Sequence, residues 1–319
     1  MKTIRFAVTL LIVVCAVSGS AICQEASPVS QPASAPATAP APDRVVMTIG
    51  EKQISAGLID RILAAQVARM QRELTADQTA LFRGRLIDQI IEKELVDAHL
   101  GTVELSDAEF EAHKAKMEEM LQKQGTSTAE FLARSGQTEE MLRKSAKMAK
   151  IQAQAMSERA VKGFIATSPA SYFDGTKVHA RHILIPVKVY EPDEKKAAAK
   201  KKCLEIAAEI QAGTKTFAQA AKEYSACPSS AEGGDLGEFT FDRMTPPFSM
   251  VAFSLEPGKV SDPILTEFGY HLIAVDGRSA GSGEKSESAV EVAKQVLFAK
   301  FRADVLTKAL KIAPVTVAQ

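Results

Sequence analysis

Between residues 55 and 164 the chain repeats one local signal three times: Thr75 with Gln78, Ser106 with Glu109 and Ser127 with Glu130. Each is a hydroxyl residue three positions ahead of a Glu or Gln. At that spacing the hydroxyl accepts from the backbone amide three residues on, and the longer side chain reaches back to the amide of the hydroxyl residue. Two of the orphan donors at a helix start are then satisfied together. Three such starts divide the region into several separate helices. Within one of them Leu86, Ile87, Ile90, Ile91, Leu95 and Val96 recur at spacings of three and four, giving one broad apolar face whose simplest use is an ordinary core. A β-prone run from Val45 to Ile49 precedes the helices, turns at Gly50-Glu51-Lys52 and leads to Ser55, which reads as a helix cap.

Beyond Ser168-Pro169 the pattern changes. Val178 to Val187 reads as a strand, and Glu191 to Ala212, dense in Ala and Lys, as a helix stopped by Gly213. Thr216 with Gln219 caps a shorter helix to Tyr224, followed by a Gly- and Ser-rich loop through Gly237. A strand near Glu238 to Phe241, a helical stretch from Pro247 to Leu255, and β-runs over Ser261 to Thr266 and Tyr270 to Val275 complete the alternation. A few strands mixed with short helices define an α+β class, here a small antiparallel sheet flanked by helices. Ala289 to Ala309 is a last long helix. The run from Ala313 to Val317 is expected to return as a strand beside Val45 to Ile49, closing the helical region from both ends of the chain.

With 319 residues and 46% hydrophobic content the chain can bury two cores. Lys plus Arg and Asp plus Glu are 39 each, so no overall field draws it onto nucleic acid. Its amino terminus has Lys2 and Arg5, then an apolar run from Phe6 to Val17, then small residues from Ser18 to Ala21, the layout of a secretory signal. The run is shorter than the roughly 20 residues a membrane-spanning helix needs. Residues 1–23 are therefore read as a signal peptide cut between Ser20 and Ala26. The tetrad before Cys23 is poorly suited to lipid attachment. A membrane is a partner only if the signal stays uncleaved or Cys23 is lipidated. Residues 24–43, almost wholly Ala, Pro, Ser and Thr, form a semi-rigid linker. Of four cysteines, Cys203 and Cys227 fall in folded structure; a bridge between them stays open on compartment grounds, and both are read as free thiols.

Four segments resemble the parvulin family in order and spacing: His179-Ala180-Arg181-His182-Ile183-Leu184, Cys227 through Phe239, Met244-Thr245-Pro246-Pro247-Phe248, and Phe268-Gly269-Tyr270-His271-Leu272-Ile273. The resemblance covers about Val178 to Arg278 and implies a peptidyl-prolyl cis/trans isomerase domain over residues 172–281. Residues 44–165 together with 284–319 resemble, on pattern more than on unusual residues, the helical amino-terminal domain of SurA-like and PrsA-like exported foldases. Position by position, the resemblance makes His182 and His271 a pair of imidazoles at the floor of the site, Cys227 the residue facing the reacting amide, and Thr266 the hydroxyl that supports the pair. Leu236, Met244 and Phe248 become the apolar pocket for the proline ring. At Phe268 some relatives carry a serine, so a hydrogen bond made there in them is absent here.

This inventory suits the reaction. Rotation about an X-Pro bond faces a barrier of ~18–20 kcal/mol because amide resonance must be broken, and no bond is cleaved. The resemblance implies no metal and no cofactor. Its partners would be unfolded exported polypeptides containing X-Pro bonds, met in the periplasm or cell envelope. Other readings stand beside it. His179 and His182 form an H-x-x-H, but residues three apart in a strand face opposite sides and cannot share one ion. Cys227 with a histidine could serve a cysteine hydrolase, although Pro228 and the loop after it offer no helix start to activate a thiol. Gly233 to Gly237 lacks the Lys-Ser or Lys-Thr of a phosphate loop. Lys200 to Lys202 is a solvated helix face. With no Trp and no arginine cluster after His182, phosphate-directed recognition is not expected. A holding chaperone with a vestigial isomerase site remains the alternative function.

Overall fold

The computed structural model of the chain describes residues 44–70, 73–284 and 288–318; the expected signal peptide and linker lie outside them. β1 (Val45–Ile49) and β2 (Lys52–Ser55) form an antiparallel hairpin. The chain then runs through α1 (Ala56–Met70), α2 (Ala76–Gly101), α3 (Asp107–Gln122), α4 (Thr128–Ser135), α5 (Glu139–Ala155) and α6 (Glu158–Thr167). All three expected capping boxes form with both of their hydrogen bonds, at the starts of α2, α3 and α4. Thr138 and Ser157 cap α5 and α6 with the hydroxyl alone, because Met141 and Ala160 stand where the reciprocal Glu or Gln would be.

The apolar face of α2 is a core contact, as expected: Leu86, Ile91 and Leu95 are buried against Met47, Ile49, Ile54, Ile59 and Leu63. Each such side chain contributes on the order of 1.5–3 kcal/mol by leaving water. α3, α4 and α5 build a smaller cluster around Phe110, Met117, Phe131 and Leu142.

The second sheet contains β3 (Lys177–Pro186), β4 (Asp235–Thr240), β5 (Ile264–Thr266) and β6 (Gly269–Ser279) in the spatial order β4-β3-β6-β5. Every neighbouring pair is antiparallel. One face packs Ile183 and Leu272 against Ile206 and Phe217 from α7 (Asp193–Gln211) and α8 (Phe217–Tyr224). The other packs Val178, Ala180, Ile273 and Val275 against Phe248, Ala252 and Phe253 of α9 (Pro246–Ser254). β5 is shorter than the run expected from Ser261, because Pro263 has no amide to donate to a ladder. Upstream of it, Ser261 N still donates to Ile273 O, at 2.8 Å. β6 outruns its expected end at Val275, staying paired with β3 through a register shift at His179/Ala180 as far as Ser279.

α10 (Ala289–Ile312) joins the two parts of the molecule. Its first half buries Ala289, Val292 and Val296 in the core under β3 and β6. Its second half buries Ala309 in the core under β1 and α2. β7 (Val315–Val317) then pairs with β1, Met47 opposite Val317 and Ile49 opposite Val315, so the chain end returns to its beginning as the sequence pattern suggested. Among the described residues no helix is long and apolar enough to cross a membrane.

Candidate functional site

His182 lies on β3 and His271 on β6, with His182 opposite Ile273 and Leu184 opposite His271. This diagonal relation points both rings to the face covered by α9. His182 Nδ1 and His271 Nδ1 are 3.1 Å apart, the rings are stacked at 19° with centroids separated by 5.3 Å, and the residues are only 2% and 3% exposed. The edge-to-face ring of Phe248 contacts both, at 5.7 Å and 5.6 Å.

Burial pushes the His182 imidazole from 6.5 down to about 4. His271 falls to about 3, with burial the larger cause and the neighbouring His182 the smaller. At neutral pH both rings are therefore uncharged. A nitrogen pair sharing one hydrogen bond needs one donor and one acceptor, so the two rings adopt opposite tautomers at Nδ1. The far nitrogen of His271 meets Thr266 Oγ1 at 2.8 Å, and that hydroxyl also accepts from Phe268 N at 3.1 Å. Since a hydroxyl both donates and accepts, Thr266 can serve either tautomer of His271.

Backbone packing holds this arrangement. Gly234 has φ +83°, and a Cβ on it would stand 2.4 Å from His182 O. Only glycine lets this loop lie on β3, where Gly234 O accepts from His182 N at 2.9 Å. Gly269 has φ +139° and would set a Cβ 2.3 Å from Ile185 O at the end of the β5–β6 turn. Gly234 and Gly269 thus let backbone lie against backbone at the two ends of the site.

Leu236 on β4, Met244 ahead of α9 and Phe248 on α9 meet in one apolar cluster beside the histidines, together with Phe239. Ser249 Oγ, fully buried, donates to Phe241 O at 2.7 Å and ties α9 to the segment carrying Met244. His179 points away from the pair and bonds Asp235 Oδ1 at 2.8 Å, and no metal-binding cluster exists among the described residues.

Cys227 is 1% exposed at the start of the turn Pro228–Glu232. The expectation of two free thiols holds for Cys203 alone, a buried thiol whose pKa burial raises to about 12. Cys227 is disulfide-bonded, and not to Cys203. Its sulfur then has no proton to give and is no thiolate. Sequence reasoning passed over Ser225, whose Oγ accepts from Leu184 N at 3.0 Å and Cys227 N at 3.3 Å and pins this loop to β3. The only signal was a serine just past a helix end, a weak one.

Residues 182–277 match the family model Rotamase, described as the PPIC-type PPIASE domain. This segment is accordingly similar to the parvulin-type, or PPIC-type, isomerase domain. Over 99 residues the chain is 48% identical to "Chaperone SurA" of Salmonella typhimurium, a match covering 31% of this chain and 22% of that protein. The chain thus spans about a fifth of the length of the curated relatives it matches. Among solved structures, NmPin, the parvuline of Nitrosopumilus maritimus, is 36% identical with a TM-score of 0.27, covering 32% of this chain and 98% of that one. PrsA from Bacillus anthracis is 22% identical with a TM-score of 0.36, covering 70% and 96% respectively.

Proposed function

We propose that the chain is a peptidyl-prolyl cis/trans isomerase and folding chaperone for exported polypeptides, with residues 172–281 as the isomerase and residues 44–165 with 284–319 as the polypeptide-binding part. The observation that carries the reading is the neutral, buried Thr266–His271–His182 chain set beside the apolar group Leu236, Met244 and Phe248. Leu236, Met244 and Phe248 take the proline ring. Entry of the X-Pro amide into this dry surrounding disfavours its charge-separated resonance form, which lowers the cost of twisting the C–N bond. The histidine pair stays uncharged and fixes the floor of the site, so its hydrogen bonds are aligned before the amide twists.

No covalent step is required, because rotation about the X-Pro bond makes and breaks no bond; Cys227 walls the site. Clients are unfolded chains with X-Pro bonds, whose uncatalysed isomerisation takes tens to hundreds of seconds. The signal-like amino terminus supports the periplasm or cell envelope as the place of action. The test is catalysis of cis/trans interconversion in proline tetrapeptides by the full chain and by Met244→Ala. Truncating Met244 lowers kcat/KM about tenfold or more by opening the pocket. Equal rates with and without the protein would remove the isomerase reading.

A further inference from the structure

The guanidinium of Arg302, on α10, forks onto Glu92 of α2: Nε to Oε1 and Nη2 to Oε2, each at 2.7 Å. Its Nη1 donates to Glu267 Oε2 at 3.2 Å. Glu267 and Phe268 are the whole turn between β5 and β6, because Thr266 and Gly269 are already paired. Glu267 is thus the residue directly after Thr266, whose hydroxyl meets His271.

One helical turn before Glu92, Asp88 accepts from Lys188 Nζ at 2.9 Å and from the Tyr190 hydroxyl. Lys188 and Tyr190 follow β3, the strand of His182. Residues four apart share a helix face, so one face of α2 meets the segment after β3 directly through Asp88 and the β5–β6 turn by way of Arg302.

β5 has three residues and sits at the edge of its sheet, held by three register pairs with β6. So short an edge strand frays readily, and with it the Thr266–His271 bond. A bidentate fork is the geometry in which a partly exposed arginine is held in one orientation, and its third donor is aimed at the tip of this hairpin.

We propose that Arg302 is a positioning residue for the isomerase site: anchored on Glu92, it fixes Glu267 and thereby keeps the Thr266 hydroxyl against His271, so that the helical part of the molecule sets the geometry of the histidine pair. The inference rests on the isomerase reading of that pair. It is tested in the full chain by comparing wild type with Glu267→Gln and Arg302→Gln, measuring kcat/KM on a proline tetrapeptide, the nitrogen NMR resonances of the His271 ring, and the thermal midpoint. Glu267→Gln removes a half-exposed charge, so its midpoint stays close to wild type. Both variants are expected to lower kcat/KM roughly tenfold, since small misplacements at a site are amplified in rate, and to move the His271 resonances. A Glu267→Gln kcat/KM at the wild-type value, or unmoved His271 resonances, overturns the proposal. If the wild type itself does not catalyse isomerisation, the functional reading fails, while the resonances still decide whether Arg302 positions the hairpin.

Discussion

A buried imidazole pair has a cost that depends on pH in a definite direction. Both His182 and His271 carry pKa values below the ordinary 6.5, so over the interval from 6.5 down to about 4 the unfolded chain binds protons that the folded chain refuses. Stability then rises with pH across that window and is lost as pH falls through it. Urea midpoints are expected to drop steeply between about pH 6.5 and 4, while kcat/KM stays flat between about pH 7 and 8, where neither ring titrates. A stability curve indifferent to pH in the lower window would contradict the buried neutral pair. Thr266→Val keeps the side-chain shape but leaves the far nitrogen of His271 without a partner in a buried place. It should cost about 1–3 kcal/mol by urea unfolding. At this scale the sequence was informative where unusual residue types sat in a fixed order: His182 and His271 pair with Phe248 against both rings, and Leu236 and Met244 pack in the same apolar cluster as Phe248. The bonding of Cys227 and the anchoring by Ser225 were not legible, because both depend on partners brought near only by folding.

Elements were readable to the extent that their ends carry chemistry of their own. Helix starts with reciprocal side-chain pairs announced themselves; those of α5 and α6, with one hydroxyl each, did not. The start of β5 was misplaced because Pro263 interrupts the ladder inside a run of β-prone residues. The Gly-rich loop after α8 makes its own prediction. Gly234→Ala drives a methyl against His182 O in a backbone conformation that L residues avoid. It should cost more than the roughly 1–3 kcal/mol of backbone strain alone, and lower activity by displacing β3. Thermal unfolding and kcat/KM together check it. At the other end of the molecule, removing residues 314–319 takes away β7, along with the Gly50 N to Pro314 O bond of 3.0 Å and the Ala318 N to Val46 O bond of 2.9 Å. A loss of about 1–3 kcal/mol is expected, read by chemical denaturation, with isomerisation of short peptides unchanged.

On the scale of the whole molecule, α10 is the structural reason why the two parts are not independent. Its first half is core to the part built on β3 and β6 and its second half is core to the part built on β1 and α2. The sequence indicated a helix there and its return to β1, yet nothing in its periodicity told that one helix serves two cores, since both halves simply show small and branched apolar residues. The helical part exposes Leu81, Met120 and Met141 and, on the returning chain end, Val290, Ile312 and Val317. Exposed apolar residues are common on any surface, so they lend support only alongside the isomerase site.

The most direct test measures proline-tetrapeptide isomerisation by the purified chain from Asp43 onward, beside His182→Ala and Met244→Ala, with suppression of client aggregation followed in the same preparations. The account predicts acceleration by the wild type, loss of most of it in both variants, and equal suppression of aggregation by all three. Suppression without any acceleration by the wild type would contradict it and leave a holding chaperone in its place.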